Sequence, residues 1–581
     1  MYTLGINAAY HDSAACLVRN GTVLAAAEEE RFTHIKHGKR PVPFSTWELP
    51  FHAIDYCLRE AGIMLPDVAH VAYSFDPWLM LDKRIEDALI VLPLQPSAVA
   101  HPSRDSAPWE PLFLSSIVNA PRQLAGGAPH HLAARFRGAT VDGPYRWHFI
   151  EHHLAHEASA FLASPFERCA VLTMDGRGEI ATSSFGVFDG HDYRRIKQIA
   201  LPDSLGLLYE RVTSYLGFLH SSDEYKVMAL ASYGRPTYLE EFRRIVRYDR
   251  QGGYTVADPD LTELLGPARA RGGPLQQRHY DIAHSLQQVL EETVLAMVDW
   301  LASESGERKL CMAGGVALNC VMNARLRDRG KFDEIWVQPA AGDAGTALGA
   351  ALWVDFCQRG HARNWQMTHA YLGPAFAEQE IEKFLRDAKL PFRRLQDVAG
   401  ESARLLADDK IIGWFQGRME FGPRALGARS ILASPLKADM QQRLNQIKDR
   451  EDFRPVAPAV LEHQASDWFV SRKADAGAET LRAPFMLFVY DVAPGREQQI
   501  PAVRHVDGSA RVQTVNRSEN PLYFDLLSAF AALTGVPVLI NTSFNTRGEP
   551  MVCTPRDAIE CFWTAPLDAL VIGPFLLEKR Q

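Results

Sequence analysis

The sequence predicts an α/β protein built in two parts, and three features carry that prediction. A short apolar strand followed by a hairpin occurs twice, over residues 3–27 and again from residue 169. Strands and helices alternate between residues 309 and 357. The pattern then breaks at residues 359–367, and a new set of elements begins at Tyr371-Leu372-Gly373-Pro374.

Taken in order, residues 3–7 read as a strand. The polar turn Tyr10-His11-Asp12-Ser13 follows, then strands at 14–18 and 22–27 joined by Arg19-Asn20-Gly21. The second copy has a strand at 169–174, the turn Asp175-Gly176-Arg177-Gly178, a strand at 180–188 and the turn Asp189-Gly190. Later come a strand at 309–312, a helical stretch opened by Gly314-Gly315, a strand at 334–337 and a helix at about 344–357. Residues 77–145 are proline-rich and lose periodicity, so they read as an insertion over the site with some amphipathic helix. Beyond the break lie a helix at 378–388, a strand at 411–415 and basic loops. The expected division is residues 1–366, with the insertion, and residues 367–581.

A chain of 581 residues is too long for one core. The net charge of -8 is spread along it without a basic stripe, which argues against a nucleic-acid partner. Eight cysteines without a CxxC pair read as reduced thiols of a cytoplasmic protein. No run of 18 apolar residues suggests a membrane span, and the first residues carry no basic leader and enter a strand.

His152 and His156 lie one turn apart, so on a helix their imidazoles share a face. Asp175 and Asp343 each follow a strand, and the four together form a ligand mixture suited to iron(II), manganese or zinc. For Asp343 the competing reading is a helix N-cap. Gly314, Gly315 and Asn319 sit between strand and helix, where backbone amides face a nucleotide or acyl-adenylate phosphate. In the second part, residues 416–430 place Arg418, Arg424 and Arg429 among glycines, a pattern suited to anions; a solvated surface turn is the alternative. Lys448, Arg511 and Arg547 lie in further basic segments, and together these fit a domain that binds phosphorylated ligands.

The motifs resemble those of the O-carbamoyltransferases of the nodulation and antibiotic-tailoring type, to which the nebramycin and cephamycin carbamoyltransferases belong. The segments that carry the resemblance are LGIN, HDSA, EEERF, HHLAHEASAF, MDGRGE, EYKVMALASYG, GGVALN, GRMEFGPRALGARSILA, FRPVAP, DGSARVQTV and NTSFNTRGEP. The resemblance implies a first domain similar to the tRNA threonylcarbamoyl-transfer protein, in the superfamily of actin, sugar kinases and heat-shock ATPases. It implies a second, α+β domain similar to the one that makes threonylcarbamoyl-adenylate.

The resemblance further implies that the second domain converts carbamoyl phosphate and ATP, with Mg2+, into carbamoyl-adenylate, and that the first moves the carbamoyl group to a hydroxyl of a small-molecule natural product. His152, His156, Asp175 and Asp343 would hold iron(II), with another divalent ion as the alternative. Lys448, Arg511 and Arg547 would grip carbamoyl phosphate, and Arg418 and Arg424 the ATP phosphates. His11, with Asp12 beside it, is nominated as general base, and Lys36 as a charge stabiliser for the transferred group; packing or acceptor positioning is the competing reading. The competing functions are threonylcarbamoyl transfer to tRNA, a superfamily kinase or ATPase, and a nucleotide-sensing scaffold. A homodimer is left open.

Overall fold

The computed structural model describes residues 1–38, 48–80, 110–127, 134–141, 143–472, 481–546 and 548–579. The first sheet comprises β1 (Tyr2–Asn7), β2 (Ala14–Arg19), β3 (Thr22–Glu28), β4 (His70–Tyr73) and β5 (Arg146–Phe149), in the order β3-β2-β1-β4-β5. The second comprises β6 (Cys169–Met174), β7 (Ala181–Phe188) and β8 (Tyr193–Ala200). After the separate hairpin β9 (Val246–Tyr248) and β10 (Tyr254–Val256), it is completed by β11 (Lys309–Ala313) and β12 (Glu334–Val337). Its order, β8-β7-β6-β11-β12, repeats the first. In both sheets the first strand pairs antiparallel with its hairpin partner and parallel with a later strand. The recurrence in the sequence is therefore a repeat of topology.

β1 and β6 are almost wholly buried, because each is a central strand covered on both faces. Two helices fill the space between the sheets, His152–Phe161 and Ala344–Gln358. Both are rich in small residues, and that composition lets backbone approach backbone. A Cβ added at Gly349 would stand 1.8 Å from the Ala155 carbonyl oxygen, and one added at Gly5 would stand 1.9 Å from that of Ala347. The N-terminal ends of these helices bring His152 and Asp343 to one place.

Within residues 77–145, which carry no periodic signal, the described portion includes two helices, Glu110–Val118 and Ala120–Gly126. Phe113, Ile117, Ala120 and Leu124 join the core of the first sheet. These helices agree with the amphipathic helix expected within this segment, and tertiary burial stabilises them.

In the second part an eight-stranded mixed sheet runs from Arg393–Arg394 at one edge to Gln513–Val515 at the other, with Ile412–Phe415 and Arg429–Ala433 near its middle. Helices Val398–Ala407 and Pro521–Thr534 pack together on one face. A separate core lies on the other, including residues of Glu378–Asp387, Met440–Ile447 and Pro555–Thr564. No helix among the described residues is long and apolar enough to cross a membrane.

Gly349→Ala is expected to destabilise the protein by about 1–3 kcal/mol, because the added methyl must push the two inter-sheet helices apart. The measurement is the urea unfolding midpoint, and an unchanged midpoint would contradict this packing.

Candidate functional site

The helix His152–Phe161 starts against Glu179, whose carboxylate oxygens accept from the His152 amide at 2.9 and 3.1 Å and from the Asp76 amide at 2.6 Å. From this anchored end His152 and His156 turn inward, and both are fully buried. Their Nε2 atoms are 3.2 Å apart. Asp175 Oδ2 lies 3.3 Å from His152 Nε2 and 3.6 Å from His156 Nε2; Asp343 Oδ1 lies 3.6 and 3.7 Å from the same atoms. Ligand atoms bound at about 2.0–2.2 Å to one ion are about 2.8–3.6 Å apart at octahedral or tetrahedral angles. The observed separations are close to that range.

The surroundings fit a cation as well as the distances do. His152 Nδ1 is 3.3 Å from the Ser74 carbonyl, which favours a proton on Nδ1 and leaves Nε2 as the donor toward the centre. Asp175 Oδ1 accepts from the Gly315 amide at 2.9 Å, turning Oδ2 toward the imidazoles. Asp343 makes no N-cap hydrogen bond, so capping does not account for it. Its two oxygens are buried without a hydrogen-bond donor, and so is His156 Nδ1 without a partner. Burial opposes charge on His152, but the Asp343 and Asp175 carboxylates outweigh it and hold the imidazole well above its usual range. A divalent ion would neutralise the same two carboxylates. These four side chains could hold one, while the adjacent His153 turns to Thr173 Oγ1 and stays outside the set.

His11 lies beside this cluster. Its Nδ1 is 2.9 Å from Asp12 Oδ2 and 3.8 Å from Asp343 Oδ2. Asn7 Nδ2 holds the turn by donating to the carbonyls of His11 and Asp12 at 3.0 and 3.2 Å. Lys36 opens a short helical turn, Lys36–Gly38, and its charge reaches Lys448 of the second part.

The second cluster is cationic. Burial, then the charges of Arg450, Arg454 and Lys36, hold the Lys448 ammonium well below its usual range. Its Nζ donates to Asn545 Oδ1 at 2.6 Å and lies within reach of Ser543. Burial and Arg511 bring Arg424 down to about 9, and burial with Arg454 and Arg511 does the same for Arg450. Both stay protonated at neutral pH, so these buried groups repel one another. Arg424 Nε, Arg450 Nη2 and Arg511 Nε are buried without an acceptor, and among the described residues none of the three guanidiniums has an ion-pair partner. Such an arrangement is suited to a polyanion.

Several expectations need correction. Arg418 is spent on the joint between the two parts: its Nη2 donates to the carbonyls of Leu372 and Leu24 and to Tyr56 Oη, with Glu60 at 3.8 Å. Arg429 is fully buried over Phe415 and donates to the carbonyls of Gln416, Gly417 and Pro374. Arg424 alone of the loop's three arginines joins the cationic cluster. The Gly314 amide donates to the Ala341 carbonyl and the Gly315 amide to Asp175, so neither is offered to a phosphate. Asn319 caps the helix Cys320–Arg329 and pairs with Gln287. Arg547 lies outside the described residues.

Glu179, His37, Arg450 and Arg454 were not assigned a role from sequence. Glu179 stands in MDGRGE and the two arginines in KDREDFRP, segments already conspicuous for charge. His37 stands beside Lys36 in the sequence, and the fold reveals its partners Asp12 and Ser222.

Residues 2–88 and 138–352 match the family model described as the carbamoyltransferase N-terminus, and residues 403–579 match that of the carbamoyltransferase C-terminus. The first match passes over residues 89–137, where the helices at 110–126 lie. The nodulation protein NolNO of Sinorhizobium fredii is 39% identical over 99% of this chain and 80% of its own length. Nodulation protein U of Rhizobium tropici is 38% identical over 95% of this chain and 92% of its own. An uncharacterised protein of Synechocystis, sll1178, is 42% identical over 100% of this chain and 97% of its own. With both halves matched in order, the chain belongs to the carbamoyltransferase family, and it is a transferase.

Proposed function

We propose that this protein is an ATP-dependent O-carbamoyltransferase that forms carbamoyl-adenylate at the cationic cluster and transfers the carbamoyl group to a hydroxyl of a small molecule beside His11. The observation that carries this reading is the presence of two chemically opposite sites joined by one interface. Five basic side chains gather at Arg424, Lys448, Arg450, Arg454 and Arg511, while two carboxylates and two imidazoles converge in the first part. Lys36 contributes charge between them.

Carbamoyl phosphate and ATP carry the negative charge that the cationic cluster lacks, with Mg2+ accompanying ATP as co-substrate. Water first cleaves carbamoyl phosphate to carbamate and phosphate; a carbamate oxygen then bonds to the α-phosphorus of ATP, the bond to pyrophosphate breaks, and AMP is left as the later leaving group. In the transfer step the acceptor oxygen bonds to the carbamoyl carbon, the bond to the adenylate oxygen breaks, and AMP departs. His11 Nδ1 is held by Asp12, so Nε2 is the ring atom that takes the hydroxyl proton. A divalent ion, which we take to be iron(II), would be held by His152, His156, Asp175 and Asp343 and would polarise the carbamoyl carbonyl or bind the adenylate phosphate. A net charge of -8 makes a small molecule a better acceptor than a nucleic acid.

Given ATP and carbamoyl phosphate, the protein should release pyrophosphate and form carbamoyl-AMP, read by enzyme-coupled assay and mass spectrometry. Arg424→Ala and Lys448→Ala should each slow this about 10- to 100-fold, the scale of a lost charge-assisted contact. His152→Ala and Asp343→Asn should leave pyrophosphate release intact and stop carbamoylation of hydroxylated acceptors. Failure of all four variants at one step would refute the division of labour.

Arg418→Ala should lower the thermal midpoint yet leave pyrophosphate release within about threefold, because its contacts are to carbonyls, Tyr56 and Glu60 at the joint. Metal analysis should find one divalent ion per chain in the purified protein and a loss of that ion in His156→Ala. Retention of metal by the variant would remove His156 from the ligand set.

A further inference from the structure

Asp12 is held from two sides. Its backbone is left-handed, with φ +52°, and its amide donates to the His37 carbonyl at 2.9 Å. One carboxylate oxygen, Oδ2, meets His11 Nδ1 at 2.9 Å; the other, Oδ1, meets His37 Nδ1 at 2.8 Å. An ionised carboxylate only accepts, so both imidazoles carry a proton on Nδ1. For His37 this leaves Nε2 to accept from Ser222 Oγ, 3.1 Å away. The ring is 25% exposed, so its placement is set by hydrogen bonds at both nitrogens more than by core packing.

The position of His37 is fixed in turn from the second part. The His37 amide donates to Glu30 Oε2 at 2.6 Å, and Glu30 Oε1 pairs with Arg31 Nη1 at 2.6 Å. Arg31 Nε binds Glu28 Oε2 at 2.9 Å, and its Nη2 donates to the Gly422 carbonyl at 3.1 Å. Glu28 Oε1 accepts from the Gly422 amide at 3.2 Å, which closes the contact. Glu28, Glu30 and Arg31 are all buried, so these bonds hold firmly. Gly422 stands two residues before Arg424. One continuous chain of bonds therefore runs from the cationic loop to the acid that orients the proposed base.

We propose that His37 is a positioning residue for the transfer step: it fixes the Asp12 carboxylate, and so the Nδ1–H tautomer of His11, while Glu30, Arg31 and Glu28 tie it to the Gly422 loop. This rests on the reading of His11 as the base. It adds a residue that acts through Asp12 and a physical link between the two sites. Without His37, the Asp12 carboxylate keeps one ring partner and is free to rotate away from His11, which then samples both neutral tautomers.

The test uses the full-length protein and two substitutions that separate the ring's two contacts. An asparagine amide stands near the place of Nδ1 and suits the left-handed backbone of His37, φ +60°. A glutamine amide reaches instead toward Ser222. With 15N-histidine labelling, ring-nitrogen spectra should show His11 as a single Nδ1–H tautomer in the wild type and in His37→Asn, and as a mixture in His37→Gln. Pyrophosphate release from ATP and carbamoyl phosphate should be unchanged in both variants. AMP release on addition of the best acceptor in a panel of hydroxylated compounds should fall about 10- to 100-fold in His37→Gln and stay within about threefold in His37→Asn.

A wild-type His11 spectrum in His37→Gln overturns the proposal. Should the glutamine variant fail to fold, His37→Asn decides alone, since loss of the tautomer in a folded asparagine variant is equally fatal. Absence of pyrophosphate release from the wild type would refute the adenylation reading instead, and the ring-nitrogen spectra would still decide the role of His37.

Discussion

The first part depends on how closely the helices His152–Phe161 and Ala344–Gln358 approach each other between the two sheets. Gly349 faces the Ala155 carbonyl at a distance that admits no side chain, and Gly5 of the central strand does the same against Ala347. This crowding is what brings His152, His156 and Asp343 together, with Asp175 arriving from the end of β6. A looser fit would separate these four side chains by more than one ion could span. Small residues in these helices are therefore functional through the distance they permit.

Charge is sorted between the parts in a way that neither needs for stability. Two buried carboxylates share a pocket with two imidazoles, and in the second part Arg424, Arg450 and Arg511 are without an ion-pair partner among the described residues. Each arrangement costs desolvation and repulsion that a bound ion or anion would relieve. The structural arginines of the same loop behave differently. Arg418 and Arg429 donate to backbone carbonyls and build the joint and the loop, though Arg429 Nε stays without an acceptor, whereas Arg424 faces the cluster.

The joint does more than hold two folds side by side. Leu372 accepts from Ala26, Tyr56 and Arg418, and Gly422 is clamped by Glu28 and Arg31. The strand β3 and the short helix after it thus belong mechanically to both parts. Through Arg31, Glu30 and His37 the Gly422 loop is connected by hydrogen bonds to Asp12.

The sequence by itself determined the repeat, the alternation of elements and the chemical inventory. Hydrophobic period and turn residues are local, so residues 3–27 and 169–188 showed the same figure, and the HxxxH spacing placed two imidazoles on one helical face. Motif similarity also singled out Lys448, Arg424 and Arg511. What the sequence left undecided was partnership across distance. That Gly315 serves Asp175 rather than a phosphate, that Arg418 is spent on carbonyls, and that His37 shares Asp12 with His11 are contacts between segments far apart or between rotamers of neighbouring residues. Some helix was expected within residues 77–145, but the bounds of the helices at 110–126 were not, because they bury against a sheet assembled from elsewhere in the chain. Local pattern states which groups are available; only the packed backbone decides which of them are already used.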